Sequence, residues 1–134
     1  MSDQSRQADA LAVFAHPAKV AYIFFRALLE RNLDDLLFLV TPESAQRWGR
    51  FDEAYKLLRS MKHPSVTSRA EYASGDRHVA YVGVFQTPGG TVRSGGEGVL
   101  SGQVITLVWR KEHGRWMVHH FGDYELPENV PHRS

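Results

Sequence analysis

The sequence predicts an α+β fold in which N-terminal helices pack on the concave face of a curved antiparallel sheet. The first observation is a change of period along the chain. Apolar residues recur at helical spacing from Pro17 to about Met61 and alternate as in strands from Ser65 onward. The second observation is two runs rich in β-branched and aromatic residues within residues 103–124, joined at His113-Gly114. Such a pair of runs is typical of a hairpin.

Length, composition and charge are those of one globular domain. The chain has 134 residues, of which 43% are hydrophobic and 23% charged. We predict a single domain over residues 1–134, with an ordered core over about residues 13–126 and flexible termini. The formal net charge is +1, and the basic residues are scattered along the chain. Nucleic acid is therefore not an expected partner.

Residue types that are missing exclude several classes of site. The chain has no cysteine, so disulfides, thiol nucleophiles and cysteine-bound zinc are impossible. No apolar run approaches the roughly 20 residues that span a bilayer, and residues 2–9 are polar, unlike a signal peptide. These features predict a cytoplasmic protein with no membrane partner. No cofactor is expected, because the glycine-rich stretch around Gly96 lacks the dinucleotide fingerprint and the lysine of a phosphate loop.

The first two helices follow from local signals. Proline is favoured at the first helical position, and Val20, Phe24 and Leu28 recur at helical spacing after Pro17. Asn32 tolerates the left-handed conformation, so we expect it to end the first helix. It can also cap a second helix, whose first turn holds two aspartates where the helix dipole favours anions.

Two more helices are predicted before the strands begin. The sequence Thr41-Pro42-Glu43 combines a cap, a first-turn proline and an acid, and it predicts a third helix to about Trp48. Gly49 interrupts that helix. A further apolar stripe begins at Phe51 and predicts a fourth helix that ends near Met61.

The second half of the chain predicts strands. Residues 65–73 and 77–87 alternate as strands do, on either side of a turn at Ser74-Gly75-Asp76. Residues 87–102 contain six glycines. They predict either a loop or a short hairpin turning at Gly95-Gly96, with Val92 and Val99-Leu100 in its strands.

The last hairpin assigns residues to the two faces of the sheet. If His113-Gly114 is a two-residue turn, Trp109 faces Val118 and Leu107 faces His120. The face predicted to meet the helices then carries Ile105, Leu107, Trp109, Trp116, Val118 and His120, and the other face carries Thr106, Val108, Arg110, Met117, His119 and Phe121.

The second of these faces predicts an oligomer. Val108, Met117 and Phe121, joined by Val82 and Val84, would form an apolar band on it. A soluble monomer rarely exposes a contiguous apolar patch beyond roughly 300–600 Å². We therefore predict a homodimer through this sheet face, since self-association about a two-fold axis is the commonest way to cover such a patch.

Three short stretches resemble a known superfamily. They are Phe-Arg-Ala-Leu-Leu-Glu-Arg-Asn-Leu-Asp at residues 25–34, Val40-Thr41-Pro42-Glu43, and Gly114-Arg115-Trp116-Met117-Val118. Together they resemble the nuclear-transport-factor-2-like superfamily, which includes SnoaL-like polyketide cyclases, ketosteroid isomerases and limonene epoxide hydrolases. The resemblance covers roughly residues 17–124. It implies a cystatin-like cone and pairing of protomers sheet to sheet.

Two residues are candidates for catalysis. His120 shares a predicted face with the two tryptophans and can act as a base or donor near neutral pH, although a hydrogen-bonded core histidine fits the same pattern. Asp123 can orient that imidazole or act as the base itself, or it is an exposed carboxylate at a strand end.

His119 and His120 should point to opposite faces, so no metal site is expected. The predicted ligand-binding residues are Tyr22, Phe24, Tyr81, Leu107, Trp109, Trp116 and Val118.

Three functions follow from these residues. The first is a domain that binds a hydrophobic small molecule or a partner in an aromatic-lined pocket. The second is an isomerase, cyclase or hydratase that acts on a hydrophobic substrate through His120 and Asp123. The third is a structural dimerisation domain whose cavity is filled by Trp109, Trp116 and Phe24. The sequence leaves open whether the protein is an enzyme.

Overall fold

The structure is a computed structural model, and it describes residues 13–86, 99–124 and 126–130. Four helices precede an antiparallel sheet that curls strongly into a half-barrel. The predicted α+β class, with helices N-terminal to a curved sheet, is confirmed, and the shape is consistent with a cone. None of the helices in the described ranges combines the length and the apolar character that crossing a bilayer requires.

The four helices begin and end close to the predicted positions. They are α1 (Pro17–Glu30), α2 (Leu33–Leu39), α3 (Pro42–Trp48) and α4 (Asp52–Arg59). The left-handed residue that ends α1 is Arg31, with φ of 53°, and not Asn32 as predicted. Asn32 does cap α2, because its Oδ1 accepts a hydrogen bond from the backbone N–H of Asp35 at 3.2 Å.

The strands are β1 (Ser65–Val66), β2 (Glu71–Ala73), β3 (Asp76–Gln86), β4 (Val99–Arg110) and β5 (Arg115–Gly122). Both β1 and β2 pair with β3, so the strand predicted over residues 65–73 is two short pieces. Val99 and Leu100 belong to β4 and pair with Gln86 and Phe85. Residues 87–98, which include Val92 and the predicted turn at Gly95-Gly96, lie outside the described residues.

The β4–β5 turn is longer than predicted. Arg110 pairs with Arg115, so the turn has four residues, and Trp109 faces Trp116 while Leu107 faces Val118. The two-residue turn at His113-Gly114 is therefore wrong. The partner of each β4 residue from Leu107 to Arg110 is displaced by two positions from the predicted one, and an even displacement keeps these side chains on their predicted faces of the sheet. Trp109 and Trp116 accordingly both pack against the core that the helices share, as predicted.

A β-bulge in β5 reverses the alternation after Val118. Leu107 pairs with Val118 but Thr106 pairs with His120, which leaves His119 as an extra residue. Beyond the bulge, Phe121 lies on the helix side, where its ring centroid is 6.3 Å from that of Phe24. The predictions that placed Phe121 on the outer face and His120 opposite Leu107 are wrong. A bulge has no clear signal in a sequence of alternating apolar residues.

Part of the outer face of the sheet is covered by the chain itself. Its small cluster contains Val79, Tyr81 and Val108, and Val130, which is only 3% exposed, packs against it from the C-terminal segment. Val82 and Val84 pack instead in the main core with the helices. Three of the five residues of the predicted apolar band thus lie inside the core, and the other two, Val108 and Met117, are also buried. The homodimer stays a prediction without that band to support it.

The chain between α2 and α3 runs along the edge of β5. Val40 forms a single parallel bridge with Val118, and the Thr41 N–H donates a hydrogen bond to the Val118 carbonyl at 2.9 Å. The start of α3 is thereby held beside the bulge, and this contact positions the site described next.

Candidate functional site

An open cavity of about 550 Å³ lies where α3 and α4 meet the bulged end of β5. One wall is apolar and consists of Trp48, Ala54, Leu57 and Phe121. The remaining lining residues are Arg47, Glu53, Gln103, His119, His120, Gly122 and Asp123. A concave site with an apolar wall and several convergent polar groups is the usual form of a small-molecule pocket.

Trp48 is the rigid part of the apolar wall. Its ring stacks on Phe51, with centroids 5.2 Å apart and planes at 26°, and meets Phe24 edge-on at 5.6 Å. The break between α3 and α4 allows this stack, because Gly49 and Phe51 both take positive φ and turn the chain back. The stack fixes Trp48 as a flat apolar surface beside the polar groups of α3.

The bulge directs His119 towards the start of α3. His119 Nε2 lies 3.4 Å from Arg47 Nη2, and Nδ1 lies 3.3 Å from Thr41 Oγ1. Because arginine can only donate, Nε2 accepts this bond, and Nδ1 carries the proton and donates to Thr41. Thr41 Oγ1 then donates to Ser44 Oγ at 2.5 Å, and Ser44 Oγ donates to the Thr41 carbonyl at 3.0 Å. The network requires a neutral histidine.

The charge state of His119 agrees with that network. The side chain is 3% exposed, and burial lowers its pKa to about 4, with Arg47, His120 and Arg110 each contributing positive charge that lowers the pKa further. At neutral pH the ring is uncharged. A pKa about three units below neutral makes a weak general base, so His119 is suited to hydrogen bonding.

A partly buried ion pair holds α3 against β4. Arg110 is 1% exposed, and its two terminal nitrogens donate to the two carboxylate oxygens of Glu43 in the first turn of α3. Arg110 Nη1 also donates to Glu112 Oε1 at 3.1 Å. Residues four apart on a helix share a face, so the anchoring of Glu43 also orients Arg47 towards β5.

The structure brings the two predicted catalytic residues to this cavity. His120 and Asp123 both line it, and no hydrogen bond joins them among the described residues. His119 lines it too, because the bulge breaks the strict alternation that was expected to separate the two histidines. Within the ranges the structure covers, no three histidine or acidic residues are grouped so that they could hold a metal.

The predicted ligand-binding residues are not gathered in one pocket. Phe24, Leu107 and Val118 lie in the closed core, while Trp116 is buried and meets the half-buried Trp109 edge-on at 6.0 Å. Tyr22 is 50% exposed and lines a separate cavity next to β1. Tyr81 lies on the outer side of the sheet, with its ring 4.4 Å from that of Tyr124.

Sequence reasoning missed Trp48 and Glu53 as site residues, and for Arg47 it favoured a solvated helix face over contact with an anionic partner. Arg47 has the spacing of a solvated helix face, and its position beside the cavity depends on the bulge and on the pairing of Val40 with Val118. Comparisons of the chain with family models, with curated proteins and with solved structures find no match. The fold and the site together define an α+β cone with an open, mixed apolar and polar cavity at one end of its last strand.

The depressed pKa of His119 predicts a pH-dependent stability. The folded-state pKa of about 4 lies below the unfolded value of 6.5, so the stabilisation is fully present above pH 6.5 and is lost as the pH falls towards 4. We expect the free energy of unfolding to fall by about 2 kcal/mol more between pH 7 and pH 4.5 in the native protein than in His119→Gln.

Urea denaturation of both proteins at the two pH values measures this difference. The control is His113→Gln, an exposed histidine in the β4–β5 turn, which should keep the pH dependence of the native protein. Equal pH dependence in the native protein and in His119→Gln would show that His119 is not buried as a neutral ring.

Proposed function

We propose that the protein binds a small amphipathic molecule in the cavity beside the β5 bulge. The observation that carries the proposal is the juxtaposition of a flat apolar wall at Trp48 with the polar side chains of Arg47 and His120 in one open cavity. The volume of about 550 Å³ falls within the range of small-molecule pockets, roughly 300–1,000 Å³.

Two observations favour binding over catalysis. His119 is held neutral by its hydrogen bonds and by burial, so it is a weak base at neutral pH. His120 and Asp123 are not hydrogen-bonded to each other in the described part of the chain. The resemblance to the nuclear-transport-factor-2-like superfamily is part of this proposal, since the cone shape is consistent with it.

A second candidate is an enzyme of the isomerase, cyclase or hydratase type. It is supported by one observation, namely that His120 and Asp123 line the same cavity. Catalytic hydrogen bonds are often long or absent before substrate binds. Exchange of the α-protons of 4-phenylbutan-2-one in heavy water, dependent on Asp123 and His120, would support this candidate. Binding of the ketone without exchange would favour the binding domain.

The binding proposal is tested with probes that share a phenylbutyl body and carry an alcohol, amide, acid or amine head group. We expect at least one of them to shift the indole N–H resonance of Trp48 with a dissociation constant of roughly 1 mM, as suits about 12 non-hydrogen atoms. Leu57→Trp should abolish the shift by filling the cavity, while Lys56→Trp, on an exposed neighbour, should not. Failure of all four head groups would refute the proposal.

A further inference from the structure

We infer that the polar end of the ligand is a carboxylate bound by the guanidinium of Arg47, an inference that rests on the function proposed above. Arg47 belongs to α3 and precedes Trp48, the rigid part of the apolar wall. A carboxylate on Arg47 therefore leaves the apolar body of the same ligand next to Trp48 and Leu57.

Most N–H donors of the Arg47 guanidinium have no hydrogen-bond partner among the described residues. Among the described residues the ion pairs are Arg26 with Glu30 and Arg110 with Glu43 and Glu112, and Arg47 takes part in none of them. Its hydrogen bond in this part of the chain is a long one, 3.4 Å, to the uncharged ring of His119. A guanidinium has five N–H donors in a planar fork that matches the two oxygens of a carboxylate.

None of the acids in the described ranges forms an ion pair with Arg47. Glu43 lies on the same face of α3, one turn earlier, but its carboxylate is bound to the buried Arg110. Glu53 and Asp123 line the cavity, yet both are exposed and neither pairs with Arg47.

The electrostatic surroundings of His119 point the same way. After burial, the largest cause that lowers the pKa of His119 is the positive charge of Arg47, which therefore acts on this end of the cavity. An incoming carboxylate would meet the exposed guanidinium of Arg47 beside the buried ring of His119. A charge-assisted, bidentate bond there is stronger than the existing bond to a neutral imidazole.

Three probes with one body separate the possible head groups. They are 4-phenylbutanoate, 4-phenylbutanamide and 4-phenylbutylammonium, titrated into the full-length protein while the Trp48 indole N–H resonance is followed. We expect the carboxylate to bind about 10-fold more tightly than the amide, and the ammonium to bind most weakly. The amide controls for shape, because it keeps the planar head group without its charge.

Variants then assign the effect to one residue. Arg47→Gln should reduce the affinity for the carboxylate to that for the amide, and Arg47→Lys should retain only part of the preference, because it keeps the charge without the fork. Arg50→Gln is the matched control, since it removes the same charge from an exposed arginine that does not line the cavity. Denaturation midpoints identify any variant that loses stability.

The outcomes distinguish the inference from the function on which it rests. An amide that binds as tightly as the carboxylate, or an ammonium that binds most tightly, would overturn the carboxylate assignment and leave the binding function intact. Tightest binding of the ammonium would show that the polar end of the ligand is a cation bound by Glu53 and Asp123. If neither the alcohol nor any of these three probes shifts the Trp48 resonance, the proposed function fails together with the inference. The comparison of probes uses the native protein, so it stands even if an Arg47 variant does not fold.

Discussion

Replacing Phe24 by alanine is expected to lower the free energy of unfolding by about 3 to 5 kcal/mol. Phe24 has no exposed surface, and its ring makes edge contacts with Trp48 and Phe121 at centroid distances of 5.6 and 6.3 Å. The substitution removes a ring that joins α1 to both α3 and β5. The cavity left behind cannot collapse easily, because the surrounding residues belong to three different elements.

Chemical denaturation measures the effect, with Tyr22→Ala as the matched control. Tyr22 lies on the same helix, two residues earlier, and is half exposed, so the same kind of truncation should cost less than about 1 kcal/mol there. A loss below 1 kcal/mol for Phe24→Ala would contradict the closed core at this end of the cone. It would favour instead the open aromatic pocket that the sequence predicts.

Replacing Glu43 by glutamine is expected to cost about 2 to 3 kcal/mol of stability. The change leaves the almost fully buried guanidinium of Arg110 with one charged partner, Glu112, in place of two. The expected cost lies below the roughly 3 to 5 kcal/mol that is usual for a broken buried pair, because Glu112 remains and the Glu43 side chain is one-third exposed. Since Glu43 also anchors α3, binding of probes at Arg47 should weaken as well.

Glu30→Gln is the control for this prediction. It makes the same chemical change in the exposed pair of Arg26 and Glu30, and no measurable shift of the denaturation midpoint is expected. Equal stability of Glu43→Gln and the native protein would show that the ion pair with Arg110 is not a buried structural contact.

Signals between near neighbours in the chain predicted the helical half correctly. Pro17, Asn32 and Pro42 act on the backbone within one helical turn, so their effect can be predicted without knowledge of the fold. The left-handed residue at the end of α1 is Arg31, one position before the predicted Asn32, and Asn32 keeps its predicted role as the cap of α2. Strand positions were predicted to similar accuracy, except that the strand expected over residues 65–73 is broken in two.

The faces of the sheet show where local prediction fails. Trp109 and Trp116 face the helices as expected, although the turn that joins their strands is longer, because a displacement by two residues preserves the alternation. The bulge at His119 adds one residue, and one residue is enough to move Phe121 into the core. Nothing in a run of alternating apolar residues indicates where such an extra residue lies.

The sequence by itself determined the class of the fold, the four helices and the strands that the last hairpin contains. Only the tertiary structure decided the site, because Arg47, Trp48 and His119 meet across about 70 residues of chain through the bulge and the edge contact at Val40. The sequence also pointed to His120 and Asp123, and the structure placed both on the cavity wall. The physical reason is that helix signals act over a few residues, whereas strand pairing, bulges and buried ion pairs are selected by long-range packing.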